Sequence, residues 1–131
     1  MAGEVKKGKV KLPKTKFFVE VRLYKTVKEL VRVTKKEVIG FYSPEPYVIY
    51  PKLKFAPKLG TIHLSKYLGK EKLGVGYISH EALHATFDLA HKQGEVTDTL
   101  SLEDNDEWLE KLCWWHGYLV KEIVNWLNSV K

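Results

Sequence analysis

Hydrophobic periodicity divides the chain into a first half rich in predicted strands and a helical second half. Apolar and polar residues alternate over residues 17–24, as they do in a half-buried strand. Shorter extended patterns follow at residues 38–42, 47–50 and 61–65, and turns that contain proline or glycine separate them. Strands as short as these are typical of a small sheet.

Three segments have the spacing of helices. Thr26 is a suitable N-cap for a short amphipathic helix over residues 27–36. A second helix is predicted over residues 76–93, where a glycine ends it. The third is predicted to begin around residue 104 and to run close to the C-terminus, with an apolar stripe along one side. We therefore predict an α+β fold with a small, mostly antiparallel sheet, a short N-terminal helix and two longer helices.

The composition is that of one globular domain. The chain has 131 residues, 44% hydrophobic and 12% aromatic, which is enough for an apolar core without disulfides. No stretch approaches the roughly 18 to 20 apolar residues of a membrane span, and no hydrophobic segment of the signal-peptide type follows the basic N-terminus. The single cysteine, Cys113, fits a reducing compartment. We therefore expect a cytoplasmic protein that does not contact membranes.

Positive charge is concentrated near the N-terminus. Residues 1–36 contain 12 basic and 3 acidic side chains, and six of the lysines lie within residues 1–16. We interpret residues 1–16 as a flexible basic arm and residues 17–131 as a single domain. A basic arm can contact nucleic acid. This one lacks the interleaved aromatic side chains that stack on bases, so nucleic acid is the least favoured partner.

The strongest chemical signal is the sequence His-Glu-Ala-Leu-His at residues 80–84, inside the second predicted helix. Side chains four positions apart project from the same face of a helix, so His80 and His84 can bind one Zn²⁺ at roughly 2.0 to 2.1 Å. Glu81 can then serve as the general base that activates a water molecule. The motif therefore predicts a zinc site with hydrolytic chemistry.

A catalytic zinc site normally has a third protein ligand. The last predicted helix offers Glu110 on its first turns, and also Glu107, three residues earlier. Gly117 shares a face with Glu110, and a glycine inside a helix suggests close approach by another element, so we favour Glu110 as the third ligand. Asp88 shares the face of the two histidines and is an alternative ligand, or a hydrogen-bond partner of an imidazole.

A helix with His-Glu-x-x-His, a loop and a second helix with an early glutamate together resemble the minimal core of gluzincin-type metallopeptidases. The ImmA/IrrE-like group and small zincin-like proteins of phage genomes are most similar, over about residues 60–125. The resemblance implies a minimal zincin-like fold, zinc bound by His80, His84 and Glu110, and Glu81 as general base. One position departs from the ImmA/IrrE-like pattern, because Asp88 stands where several members have a further histidine.

These residues predict zinc-assisted hydrolysis of a peptide bond in a protein partner. A substrate can add as a strand to residues 61–65, which we expect at the edge of the sheet. His63 or Tyr77 is a candidate for stabilising the oxyanion. A second function is compatible with the same residues: a catalytically idle, zincin-fold binding or regulatory protein of phage type, in which the metal only supports the fold.

Other chemically versatile residues have simpler interpretations. His116 falls on the apolar stripe of the last helix and is interpreted as a core or boundary residue. Cys113 is interpreted as a small buried apolar residue. The same helix contains more tryptophans than one buried stripe can use, so an exposed remainder can form a dimer contact. These tryptophans are Trp108, Trp114, Trp115 and Trp126.

Overall fold

The computed structural model describes residues 6–36, 40–45, 48–49, 53–54, 58–68, 71–72, 74–92 and 106–130. Within these ranges the chain forms seven strands and three α-helices. The strands are β1 (Lys6–Lys11), β2 (Phe18–Thr26), β3 (Phe41–Pro44), β4 (Val48–Ile49), β5 (Leu53–Lys54), β6 (Lys58–Leu68) and β7 (Glu71–Lys72). The helices are α1 (Val27–Thr34), α2 (Val75–Lys92) and α3 (Asp106–Ser129).

The main sheet has the strand order β1-β2-β6-β3, and β7 pairs with β6. Its central pair, β2 and β6, is parallel, with Val21 opposite Ile62. The pairings of β1 with β2 and of β3 with β6 are antiparallel, and Tyr42 lies opposite the same Ile62. The predicted α+β class is therefore confirmed, but the sheet is mixed. A parallel pair requires a crossover connection, and the chain from β2 to β6 begins that crossover with α1.

Capping interactions define both ends of helix α1. The Thr26 side chain accepts a hydrogen bond of 3.1 Å from the backbone N–H of Glu29, as the predicted N-cap should. Lys35 adopts a left-handed conformation with φ 63°, and its N–H donates to the Val31 carbonyl at 2.8 Å. The helix therefore ends at Thr34, two residues before the predicted end.

Residues 6–11 are not a flexible arm, as the charge pattern suggested, but the strand β1. Val10 and the following Leu12 are buried with exposed fractions of 5% and 0%, while the neighbouring lysines face solvent. The many lysines around Val10 and Leu12 make this short apolar pattern hard to recognise in the sequence. Burial of these two side chains stabilises the pairing of β1 with β2. Residues 1–5 lie outside the described ranges.

The hydrophobic core lies between one face of the sheet and the helices α2 and α3. Apolar side chains from the two central strands meet small residues of α2 and the apolar stripe of α3. The fully buried members are Leu12, Val19, Val21, Leu59, Ile62, Ala82, Ala85, Leu89, Leu119 and Ile123. Two alanines on the contact face of α2 allow that helix to approach the sheet and α3 closely.

Helix α3 buries Leu112, Leu119 and Ile123 of the predicted stripe, and also Trp115. Cys113 is exposed, contrary to the prediction, because it lies beside this stripe and not on it. The remaining tryptophans differ in environment: Trp114 is 52% exposed and stacks on Tyr118, and Trp126 packs over Gly8 of β1. The Trp108 side chain lies outside the described part of the chain. None of the described helices is long and apolar enough to cross a membrane.

Candidate metal centre

Helix α2 carries the His-Glu-x-x-His motif, and its packing sets the direction of each motif side chain. Ile78, Ala82 and Ala85 face the core, with exposed fractions of 3%, 0% and 0%. His80 and His84 lie on the solvent side of the same helix and are exposed. The motif therefore opens to solvent while the helix that holds it is anchored in the core.

The two imidazoles point their Nε2 atoms toward each other. His80 Nε2 and His84 Nε2 lie 3.3 Å apart, with the rings close to perpendicular at 76°. Two ligands on a tetrahedral zinc, each at roughly 2.0 to 2.1 Å, would be separated by about 3.3 Å. The spacing of the nitrogens and the nature of the donors therefore fit a zinc ion.

Glu81 completes this group from the buried side. Its carboxylate lies 4.0 Å from His80 Nε2, and the ligand atoms of the three residues all lie within 4.8 Å of one another. Glu81 is only 5% exposed, and burial raises the pKa of its carboxyl group. The positive charge of protonated His80 and His84 and a hydrogen bond donated by the backbone N–H of Tyr42 act in the opposite direction.

A cleft of about 380 Å³ lies over the three residues. One wall comes from α2 and the other from β3. The lining residues are His80, Glu81, His84 and Asp88 on the helix, and Gly40, Phe41, Tyr42 and Pro44 on or beside the strand. The predicted metal residues thus face a groove with a β-strand along its opposite side.

The strand beside the cleft is β3 and not the predicted segment 61–65. That segment lies within β6, which is paired on one side with β2 and on the other with β3. In the described sheet β3 is the edge strand next to the cleft, and β1 lies at the opposite edge. Sequence periodicity identified both extended segments but contained no information on which one would be inserted between neighbours.

The backbone groups of β3 alternate between β6 and the cleft. Ser43 is paired with Thr61, and Glu45 N–H donates to the Leu59 carbonyl at 3.0 Å, so odd-numbered residues bond to β6. Tyr42 N–H points the other way, toward the cleft, where it lowers the pKa of the Glu81 carboxyl group. Gly40, Tyr42 and Pro44 are therefore the positions whose backbone faces the cleft.

Glu110 does not join the two histidines. Nine residues, or about 900° of helical rotation, separate it from fully buried Leu119, which places the two on opposite sides of α3. Glu110 is exposed, and it is absent from the described group of neighbouring ligand atoms. The prediction that it completes the site is thus not supported by this geometry.

The expectation that Gly117 marks a close contact between α3 and another element is not met. A Cβ atom added at Gly117 would have no neighbouring atom within 4 Å, so none of the described helices and strands approaches this glycine. Its face, which Glu110 shares, is turned to solvent. The Glu107 side chain, the other predicted candidate on this helix, lies outside the described residues.

Asp88 lines the cleft as its position on the helix face predicts, but its carboxylate is already engaged. Oδ2 accepts hydrogen bonds from the Tyr42 hydroxyl at 2.5 Å and from the Lys92 ammonium at 3.2 Å. Neither Tyr42 nor Lys92 was a candidate in the sequence. A tyrosine within a strand and a lysine at the end of a helix have no distinctive spacing.

The two predicted oxyanion candidates lie away from the cleft lining. His63 is 7% exposed, its Nδ1 lies 3.0 Å from the Tyr24 hydroxyl, and its ring stacks on Phe41 with centroids 4.3 Å apart. Burial lowers the pKa of His63 to about 4, and the nearby Arg22 charge adds to this effect. Tyr77 is 45% exposed at the start of α2. Neither residue is among those that line the cleft.

Comparison of the chain with protein-family models, with curated proteins and with solved structures found no match.

Proposed function

We propose that this protein is a zinc-dependent metallopeptidase that hydrolyses a peptide bond in a protein partner. The observation that carries the proposal is the 3.3 Å separation of His80 Nε2 and His84 Nε2, with the Glu81 carboxylate beside them in the same cleft. Two imidazoles four residues apart on one helix, with a glutamate next to the first of them, form the part of a hydrolytic zinc site that the motif supplies, and a third protein ligand would be needed to complete it. We also propose that the chain has the zincin-like fold that the motif implies.

His80 and His84 would hold the ion through their Nε2 atoms. A bound zinc ion supplies positive charge that polarises a substrate carbonyl and makes water a stronger acid. The role of the protein is to supply the base. Glu81 accepts a proton from the attacking water as the new C–O bond forms, and it returns that proton to the leaving nitrogen as the C–N bond breaks.

The position of Glu81 suits this role. Its side chain is buried apart from the part that faces the cleft, so little bulk water competes for the carboxylate. The backbone N–H of Tyr42 is directed at the carboxyl group and favours its charged form. A base that is held in place does not have to be ordered when the substrate arrives.

Strand β3 offers an edge along which an extended peptide can lie. The backbone carbonyl of Tyr42 and the backbone of Gly40 face the cleft and can bond to a substrate strand. This role replaces the one predicted for residues 61–65. It favours an unfolded or extended segment of a protein as the substrate, because a folded strand is already paired.

A metal-binding protein without catalysis is the second candidate. The described ligand group contains two imidazoles and Glu81, and no additional carboxylate among the described residues joins it. If Glu81 itself binds the ion, it is no longer free to act as a base. The metal would then stabilise the fold of a binding or regulatory protein.

The substitution Glu81→Gln separates the two candidates. The purified protein is loaded with zinc and incubated with a mixture of denatured proteins, and new peptide termini are identified by mass spectrometry. We expect new termini with the wild type, none with Glu81→Gln at unchanged zinc stoichiometry, and neither zinc nor cleavage with His84→Ala. Loss of zinc from Glu81→Gln would favour the second candidate, and cleavage that persists in Glu81→Gln would exclude Glu81 as the base.

A further inference from the structure

Three side chains at the far end of the cleft are bonded to one another and to the sheet. The Lys92 side chain is 3% exposed. Besides Asp88, its ammonium donates to the backbone carbonyl of Glu45 at 2.9 Å and to that of Leu59 at 3.0 Å. These carbonyls belong to the end of β3 and to β6. The last turn of α2 is thus fixed to the two strands that form the opposite wall.

Tyr42 connects this cluster to the proposed general base. Its hydroxyl donates to Asp88 Oδ2, and its backbone N–H, which faces away from β6, lowers the pKa of the Glu81 carboxyl group. Burial and the Asp88 charge both raise the pKa of the Tyr42 hydroxyl, which favours its protonated, donating form. Tyr42 therefore interacts with the motif helix at two residues, Glu81 and Asp88, and the bond to Asp88 holds it there.

We propose that Asp88 is a positioning residue, which holds β3 against the motif helix through Tyr42, and that it is not the third metal ligand. Its spacing from His84, one further helical turn, would suit a ligand. However, the described ligand atoms that lie within 4.8 Å of one another belong to His80, Glu81 and His84 and do not include Asp88. The inference that Asp88 is not a metal ligand rests on the proposed zinc site, whereas its positioning role does not depend on that site.

The chemistry of the cluster explains why a carboxylate is needed there. A buried ammonium is costly unless it is paired and fully hydrogen-bonded, and Asp88 supplies the charge that the two carbonyls cannot. Oδ2 of Asp88 accepts both hydrogen bonds, and these orient the carboxylate toward β3 and Lys92. Turning it toward a metal would break its hydrogen bonds with Tyr42 and Lys92.

The test uses three variants of the full chain. Asp88→Asn keeps the shape of the side chain but removes its charge, and Tyr42→Phe removes only the hydroxyl. Tyr42→Phe also guards against instability of the first variant, because it leaves the buried Asp88–Lys92 pair intact. His84→Ala is the reference for loss of a metal ligand. Zinc affinity is measured by competition with a chelating dye, and exchange of individual backbone amides by NMR.

We expect Asp88→Asn and Tyr42→Phe to bind zinc within about threefold of the wild type, while His84→Ala weakens binding on the order of 100-fold or more. The amide of Tyr42, which faces away from the sheet, should exchange about tenfold faster in both positioning variants. The amide of Ser43, whose partner across the ladder is Thr61, should be unaffected and is the internal control.

Two results would overturn the inference. One is a loss of zinc affinity in Asp88→Asn as large as that in His84→Ala, which would make Asp88 a ligand. The other is an unchanged exchange rate of the Tyr42 amide in both positioning variants. If the wild type binds no zinc but the Tyr42 amide still responds, the proposed function fails while the positioning role of Asp88 is supported.

Discussion

His116 on α3 forms a hydrogen bond through Nε2 with the backbone carbonyl of Ser79, at 3.1 Å, one residue before the first histidine of the metal group. The Ser79 hydroxyl lies 3.2 Å from the same nitrogen. The predicted interpretation of His116 as a boundary residue that packs against the core agrees with this position. The contact joins the start of the motif helix to the helix packed against it.

Replacement of His116 should therefore weaken both the fold and the site. We expect His116→Leu to lower the free energy of unfolding by about 1 kcal/mol, the net contribution of one partly buried hydrogen bond. Denaturation in urea measures the change, and Lys121→Ala on the exposed side of the same helix is the control. Equal stability of the two variants would show that the contact contributes nothing.

Zinc affinity should depend on the two histidines and not on Glu110. We expect His80→Ala and His84→Ala each to weaken zinc binding on the order of 100-fold or more, because each removes one of two imidazole ligands. Glu110→Ala should change the affinity by less than about threefold, since this side chain lies on the solvent face of α3. Competition with a chelating dye measures all three, and a large loss in Glu110→Ala would restore it as a ligand.

Stability should fall on acidification because of His63. Its pKa is lowered from 6.5 to about 4 in the folded protein, so between these values the unfolded chain binds a proton that the folded protein does not. The contribution is fully present above pH 6.5 and is lost as the pH falls through this range, with a ceiling of about 3 kcal/mol.

Urea denaturation between pH 7 and pH 4, in the presence of a chelator, measures this dependence. His63→Gln retains a partner for the Tyr24 hydroxyl but does not titrate, so its stability should decline less than that of the wild type over the same range. His91→Gln, at the exposed end of α2, is the matched control and should show the wild-type dependence. A wild-type slope in His63→Gln would remove His63 as the cause.

Two glycines should respond to alanine in opposite directions. Gly117 lies within a helix with open space around it, so Gly117→Ala should raise the free energy of unfolding by up to about 1 kcal/mol. At Gly60, an added Cβ would meet the Tyr42 ring and hydroxyl, and it would lie 2.7 Å from the Ser43 carbonyl oxygen. Gly60→Ala should destabilise the protein and displace β3, and thermal unfolding of the pair tests both signs.

The basic N-terminal segment should contribute to stability through its apolar residues. Leu12 is 0% exposed, and Leu12→Ala should lower the free energy of unfolding by about 2 to 5 kcal/mol. Lys6→Ala, at an exposed position of β1, should have almost no effect. A negligible cost for Leu12→Ala would mean that β1 does not form in solution and would favour the flexible arm.

The helices were predictable because the signals that define them are local. The second helix was predicted at residues 76–93 and lies at Val75–Lys92, and the Thr26 cap is where the sequence placed it. The motif on α2 was predictable for the same reason, because four residues of helix fix the spacing of two histidines. Local sequence signals contain no information on how one helix or strand is oriented relative to another.

The predictions of a third ligand and of an edge strand both depend on such orientations. Glu110 was chosen from the face of α3 that Gly117 shares, but the rotation of α3 is set by burial of Leu119 and its neighbours, which turns this face to solvent. Periodicity also assigned residues 61–65 to a strand correctly without revealing that β6 has neighbours on both sides. Strand order depends on contacts between distant segments, which no local pattern encodes.

The alternation of backbone groups along β3 also bears on self-association. Of the three positions that face outward, Tyr42 has its N–H directed at the Glu81 carboxyl group, and Pro44 has no N–H to donate. A long strand of a second molecule would therefore find few free donors along this edge. We expect β3 to accept only a short extended segment, at Gly40 and the Tyr42 carbonyl, and to resist the longer pairing that leads to edge-to-edge aggregation.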